Sequence, residues 1–288
     1  MNTTASSIPG IDHHGAQDYP DGLYTVTKTA ELLPDLSAVD DAALRFYEEK
    51  GYLAFEKAFD ALAIDAAIAA ISDLVMGRNP DFNNIMLEAS AADVDVESHD
   101  DNARADLVRK LTAFGRYDER LNAIVNDPEL MKLLRILVQD EPTCVQEMAL
   151  LKPPGGGREK PWHQDHAYFN YPQGTRIAGV WIALDEARLD NGCMHLVEST
   201  HHEIIPHFNR RDWQICDSHV MGLPTVAVPL PPGGALVFSG LLMHGTPANF
   251  SGHRRRALQF HYTGAGAQGC DTETRLALFG SEGRDVEC

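Results

Sequence analysis

Trp162-His163-Gln164-Asp165-His166 is the stretch on which the reading of this 288-residue chain turns. On a β-strand, residues two apart project from the same face. A strand here therefore aims the His163 imidazole and the Asp165 carboxylate at one point. One more imidazole from a later strand completes two histidines and one carboxylate. That set suits ferrous iron and leaves coordination positions open for oxygen chemistry. The tripeptide alone is a weak signal, because a lone histidine is more often a surface or hydrogen-bonded residue.

Context strengthens it. The tripeptide follows the turn Pro153-Pro154-Gly155-Gly156-Gly157. Downstream, His244-Gly245-Thr246 follows the apolar run Ala235–Phe238, and Arg255 opens another apolar run eleven residues after His244. Candidate strands fall at 143–151, 161–166, 177–184, 193–198, 225–229, 234–239 and 256–263. They are divided by Gly/Pro/Asn breaks such as Asp190-Asn191-Gly192 and Pro231-Pro232-Gly233-Gly234. Many short strands with such turns predict a barrel or sandwich, and a jelly-roll, cupin-like barrel over about 143–263 suits them best.

The first half reads differently. Asp40 to Lys50 is a short capped helix closed by Gly51, and Tyr52–Phe55 a short strand. Residues 60–76 carry apolar side chains at helical spacing, and 107–112 and 129–138 also read as helical. The expectation is a helical N-terminal half, about 40–140, flanking the β structure. Residues 78–102 are polar and acidic and read as a long loop that serves either as a lid or as plain surface. Residues 1–22 read as a mobile arm, and 23–288 as a single domain.

Composition narrows the function classes. Lys plus Arg (24) against Asp plus Glu (42) gives a net charge of -18, which argues against a nucleic-acid partner. No run is long and apolar enough to span a membrane. The segment Met1–Pro20 does not read as a signal peptide, and five scattered cysteines form no visible disulfide framework, so a reducing cytoplasmic setting is expected. Cys216 and His219 have no matching pair at zinc spacing. Oligomeric state is left open.

Arginine presents a planar fork that matches a carboxylate, so Arg255 is a candidate for an anionic co-substrate, with the Thr246 hydroxyl as an added donor. If Arg255 points inward, so do Ala257, Gln259 and His261, while Leu258, Phe260 and Tyr262 face the helical layer or a second sheet. Aromatic residues after the tripeptide, with His166 and Tyr168 foremost, are candidates for a substrate mouth.

Taken in order, Phe46 to Leu53, Trp162 to Asp165, Val180 to Asp185, Asp190 to Met194, His244 to Thr246 and Arg255 to Leu258 resemble the phytanoyl-CoA dioxygenase family. The resemblance runs from about residue 41 to 263. It implies a double-stranded β-helix and an oxygenase that uses Fe(II), O2 and 2-oxoglutarate on a small-molecule substrate, releasing succinate and CO2. It implies His163, Asp165 and His244 as iron ligands and Arg255 as the partner of the distal carboxylate of 2-oxoglutarate. Thr246, Trp181, Lys110 and Met148 match positions that meet the co-substrate. If Met148 faces inward so does Gln146, which with Gln259 becomes a pocket candidate. Related halogenases replace the carboxylate ligand with a small residue, so Asp165 favours hydroxylation or a kindred oxidation. The competing readings are a cupin-type metal enzyme that does not use 2-oxoglutarate and a non-catalytic binding module on the same barrel.

Overall fold

The structure, a computed structural model, describes residues 19–88, 91 and 100–280. The first half runs β1 (Val26–Thr29), α1 (Asp41–Lys50), β2 (Tyr52–Phe55), α2 (Ala61–Val75), β3 (Ile85–Leu87), α3 (Asp101–Asp106), β4 (Val108–Thr112), α4 (Glu119–Val125) and α5 (Pro128–Val138). Then come β5 (Pro142–Lys152), β6 (Lys160–His163), β7 (Ile177–Ala183), β8 (Met194–Leu196), β9 (His207–Asn209), β10 (Trp213–Ile215) and α6 (Asp217–Val220). The chain continues through β11 (Thr225–Val228), β12 (Ala235–Ser239), β13 (His244–Thr246), β14 (Arg255–Gly264) and α7 (Thr272–Phe279).

The strands form a seven-stranded sheet, β2-β12-β7-β14-β5-β4-β3, and a five-stranded sheet, β1-β11-β8-β13-β6, with β9 and β10 as a separate hairpin. Side-chain alternation sorts the large sheet into two faces. Leu53, Phe55, Ala178, Val180, Ile182, Val237, Leu258, Phe260 and Tyr262 share one core with residues of α1, α2, α4 and α5. Tyr52, Ala54, Trp181, Leu236, Phe238 and Ala257 point the other way and meet Met194, Leu196, Val226 and Val228 of the small sheet. Burying one side chain of the Phe260 class contributes about 1.5–3 kcal/mol, so the helix-covered face anchors the sheet whose other face carries polar residues.

Part of the acidity is used locally. An aspartate side chain caps the N-terminus of α1, α2, α3, α4, α5 and α7, accepting backbone N–H groups of the first turn, an arrangement also favoured by the helix dipole. Gly51 closes α1 at φ 89°, and a Cβ there would lie 2.6 Å from His201 Nδ1.

Several expectations are corrected. The two sheets keep open edges and no closed barrel is formed among the described residues. The N-terminal half is mixed, since β1 to β4 are interleaved with its helices. Residues 107–112 are not helical: β4 pairs with β5 in the register Lys110↔Leu150, and six residues are too few for periodicity to separate helix from strand. The loop expected at 78–102 contains β3, while 89–90 and 92–99 lie outside the described residues. The arm at 1–22 lies outside them up to residue 18. From there it is anchored, because Tyr19 packs on Tyr24, and Tyr24 stacks on Trp162. Cys144, Cys193 and Cys270 are free, whereas Cys216 is disulfide-bonded, which removes the argument from free thiols to a reducing compartment and any zinc role for Cys216. No helix among the described residues is long and apolar enough to cross a membrane.

Candidate metal and co-substrate site

The small sheet brings the first two ligand candidates together directly. In the pairing of β13 with β6, His244 stands opposite His163. Their ring centroids are 4.2 Å apart. Asp165 is not on a strand as expected. β6 ends at His163, and Asp165 opens a 3-10 turn, Asp165–Tyr168. The same-face argument survives because the intervening Gln164 is extended, φ -113° and ψ 127°. Ligand atoms of His163, Asp165 and His244 all lie within 4.8 Å of one another.

Backbone carbonyls set the orientation of both rings. His163 Nδ1–H donates to Pro161 O at 2.7 Å, and His244 Nδ1–H to Leu242 O at 2.9 Å. A carbonyl only accepts, so Nδ1 carries a proton in both rings and Nε2 is the atom turned inward. Burial, with His244 beside it, pushes His163 down to about 4, which keeps it neutral near pH 7. Burial opposes ionisation of Asp165, yet His261 and His244 hold its carboxyl well below the usual range. His163 Nε2 is 3.2 Å from Asp165 Oδ1, and His244 Nε2, which has no hydrogen-bond partner, is 3.5 Å from Oδ2. The Nε2 atoms of two imidazoles thus converge on the Asp165 carboxylate. Two ring nitrogens and a carboxylate facing one another in a buried pocket fit a divalent cation held among them.

Two further contacts hold this arrangement. Asp165 Oδ2 accepts from His261 Nε2–H at 2.7 Å and from Gln259 Nε2 at 3.3 Å. Gln164 ties the turn down: its amide donates to Glu203 O and Leu241 O and accepts from Ile205 N–H, and its backbone N–H donates to His207 Nε2 at 3.0 Å. Gln164 was missed by sequence reasoning, although its place between two ligand candidates was a signal. The parity argument did reach Gln259 and His261, which are buried rather than solvent-facing.

The large sheet supplies the opposite wall of a cavity of about 300 Å³. Lys110, Gln146, Met148, Trp181, Gln259 and Arg255 line it together with Tyr168, Thr246 and the triad. Arg255 is 1 % exposed, and its Nε and Nη1 have no hydrogen-bond partner. It lies 5.4 Å over the Trp181 ring, and burial lowers it to about 10. Its neighbours are engaged elsewhere, Arg254 with Asp106 and Arg256 with Asp185. An unpartnered buried guanidinium is costly, and it fits a carboxylate docked beside it.

His166 is not part of this cavity. It lies against Tyr171 O and lines a separate hollow with His201, His202 and Arg176. Tyr168 does line the cavity, with its hydroxyl receiving Lys160 Nζ at 2.9 Å. Sequence reasoning did not single out Lys152, Glu88, Arg158 or Glu159, all on the cavity wall. Arg211 does not reach the cavity as a free charge, since it pairs with Glu159 and Asp217.

Two facing sheets that enclose a buried His–Asp–His cluster and the buried Arg255 define a protein of the jelly-roll metalloenzyme class. The chain belongs to the phytanoyl-CoA dioxygenase (PhyH) family, whose model matches residues 47–257. Phytanoyl-CoA dioxygenase domain-containing protein 1 of Rattus norvegicus is 30% identical over 158 residues, 52% of this chain and 54% of that protein. The chain thus spans about half the length of that relative. Peroxisomal phytanoyl-CoA dioxygenase of Bos taurus is 24% identical, over 80% of this chain and 70% of that one. The non-heme alpha ketoglutarate dependent carbocyclase SnoK from nogalamycin biosynthesis has a similar structure: TM-score 0.65 at 19% identity, covering 88% of this chain and 96% of that one. EctD from S. alaskensis with 2-oxoglutarate and 5-hydroxyectoine aligns with TM-score 0.62 at 19% identity, covering 91% and 85%. These two likenesses establish the fold.

Proposed function

We propose that this chain is an Fe(II)- and 2-oxoglutarate-dependent oxygenase acting on a small molecule. The observation that carries this reading is the pairing, within one cavity, of three converging metal donors with a buried, unpartnered arginine. His163, Asp165 and His244 would hold iron. Arg255, with Thr246 beside it, would receive the distal carboxylate of 2-oxoglutarate, and Trp181, Lys110 and Met148 would flank the co-substrate. When bound, iron and 2-oxoglutarate supply O2 activation, with the balance R–H + O2 + 2-oxoglutarate giving R–OH + succinate + CO2.

The protein's own part is positioning and exclusion of water. Backbone carbonyls fix the two imidazoles, and His261 and Gln259 fix the carboxylate. Gln146, Gln259 and Tyr168 face the remaining space and would orient the substrate. A cavity of about 300 Å³ is at the small end for ligand sites and must also hold the co-substrate, so it suits a compact molecule or a narrow reacting end. We also place residues 23–288 in one domain, because both faces of the large sheet are covered by parts of the same chain.

A succinate-release screen over a metabolite library, with Fe(II) and 2-oxoglutarate supplied anaerobically before O2, tests the proposal. Succinate formed only with a particular metabolite supports it. Turnover that persists without any 2-oxo acid would instead establish a metal enzyme of another cupin type, and ligand binding without succinate a non-catalytic module.

A further inference from the structure

Arg255 does not stand alone. Lys152 lies directly opposite it in the β5–β14 pairing, so the two side chains emerge on the same face of the sheet. Lys152 is 6 % exposed and lines the same cavity. Its stem passes between two glycines: a Cβ on Gly157 would lie 2.5 Å from Lys152 Cβ, and one on Gly192 3.2 Å from Nζ. Its ammonium donates to Thr246 O at 3.3 Å and to Pro247 O. Both acceptors are neutral.

Like charges directly opposite on neighbouring strands destabilise one another, more so when buried. The charged and titratable groups facing Lys152 are Arg255 on β14, Arg109 on β4, Cys193 and His195 at β8, and the acids Glu159 and Glu88. Both acids are already engaged, Glu159 by Arg211 and Tyr24, and Glu88 by Arg158. The Arg255–Lys152 pair therefore lacks a dedicated counter-ion among these groups.

We propose that Lys152 is a second binding residue for the distal carboxylate of 2-oxoglutarate, closing on it from across the strand opposite Arg255. This rests on the assignment of Arg255 to the co-substrate. Burial, with Arg255 beside it, holds the Lys152 ammonium well below its ordinary value. A carboxylate between the two cations reverses that push. In the pH range above the ligand-free value and below the liganded one, binding then takes up a proton.

The test is calorimetry on manganese(II)-loaded protein, from neutral to mildly alkaline pH, in two buffers of different ionisation enthalpy. The ligands are 2-oxoglutarate and 2-oxopentanoate, which chelates metal in the same way but has no distal carboxylate. The wild type is expected to take up as much as about one proton with 2-oxoglutarate and none with 2-oxopentanoate. Lys152→Met is expected to lose that uptake and to bind 2-oxoglutarate about tenfold more weakly or worse, with 2-oxopentanoate unchanged. Tight binding of 2-oxoglutarate without uptake, or uptake that persists in Lys152→Met, would overturn the proposal and leave Lys152 as a strut under Thr246 and Pro247. If 2-oxoglutarate binds no better than 2-oxopentanoate, the Arg255 assignment itself falls. The two-ligand comparison in wild type stands even where the variant fails to fold.

Discussion

At the His163–Asp165–His244 end of the cavity each side chain arrives already oriented by the backbone or by a hydrogen-bonding neighbour. At the Arg255–Lys152 end two buried basic side chains face each other without a dedicated counter-ion. The first end is preorganised for a cation and the second for an anion, and each is electrostatically unbalanced without its guest. On the proposed reading the difference teaches that the metal end is built for geometry, while the arginine end stores an unfavourable charge that a ligand would relieve.

Removing a ligand should break the comparison most completely. Asp165→Ala should reduce metal affinity by more than the 10–100-fold (roughly) that loss of an outer partner costs. Metal-dependent succinate release should fall to background. Stoichiometric metal binding by this variant, measured by calorimetry, would show that the donors do not act as one site. At the other end, Arg255→Met should weaken 2-oxoglutarate by about 2–5 kcal/mol yet raise the thermal midpoint of the ligand-free protein, since a buried unpaired charge is removed. A fall in both quantities would mean that Arg255 is a structural residue and that its charge is compensated.

The contrast also explains what was legible in the sequence. His163, His244 and Arg255 were readable because each sits at a strand end, where period-two alternation decides the facing, and Asp165 because Gln164 before it stays extended. The same alternation put Leu258, Phe260 and Tyr262 against the helices or a second sheet, and the structure has them against the helices; it also put Met148 with Gln146 on the cavity side. His166 was a mouth candidate only because it follows the tripeptide; it enters a 3-10 turn and its ring lies outside the cavity. β4 was misread because its apolar residues answer to β5, a partner some 40 residues away in sequence, rather than to a local period. Lys152 was passed over because a lysine at a strand end ordinarily reads as a solvated terminus. Its burial follows from Gly157 and Gly192 lacking side chains, which only the folded loops bring together.

A smaller effect separates orientation from coordination at the metal end. His261 touches Asp165 but is outside the donor cluster, so it is a positioning residue. His261→Ala should cost about 10–100-fold in metal affinity and shift the visible absorption spectrum of the cobalt(II) form. His261→Gln, whose Nε2 can donate from a comparable reach, should recover much of both. An unchanged cobalt spectrum in His261→Ala would show that Asp165 needs no outer partner.

The gentlest perturbation is acid, and it should reach the metal end first. His207 and His195 are buried and depressed by that burial, to about 3 and about 4. Each donates Nδ1–H to a nearby carbonyl, Ile205 O and Cys193 O. In the unfolded chain they would titrate near the ordinary value of about 6.5. Below that value the unfolded state holds more protons than the folded one, so stability is full above about 6.5 and falls as pH drops toward the folded values. His207 matters more, because its Nε2 accepts the backbone N–H of Gln164, between the ligand candidates His163 and Asp165. Protonation removes that acceptor and loosens the segment carrying His163 and Asp165. Mild acid should therefore lower the thermal midpoint of the metal-free protein and speed amide exchange in 163–168 ahead of β14. His207→Gln, which cannot take up a proton, should flatten the pH dependence even if it lowers stability at neutral pH. Exchange that accelerates equally in both sheets would mean that acid acts on the molecule as a whole, and the contrast between its two ends would not extend to their stability.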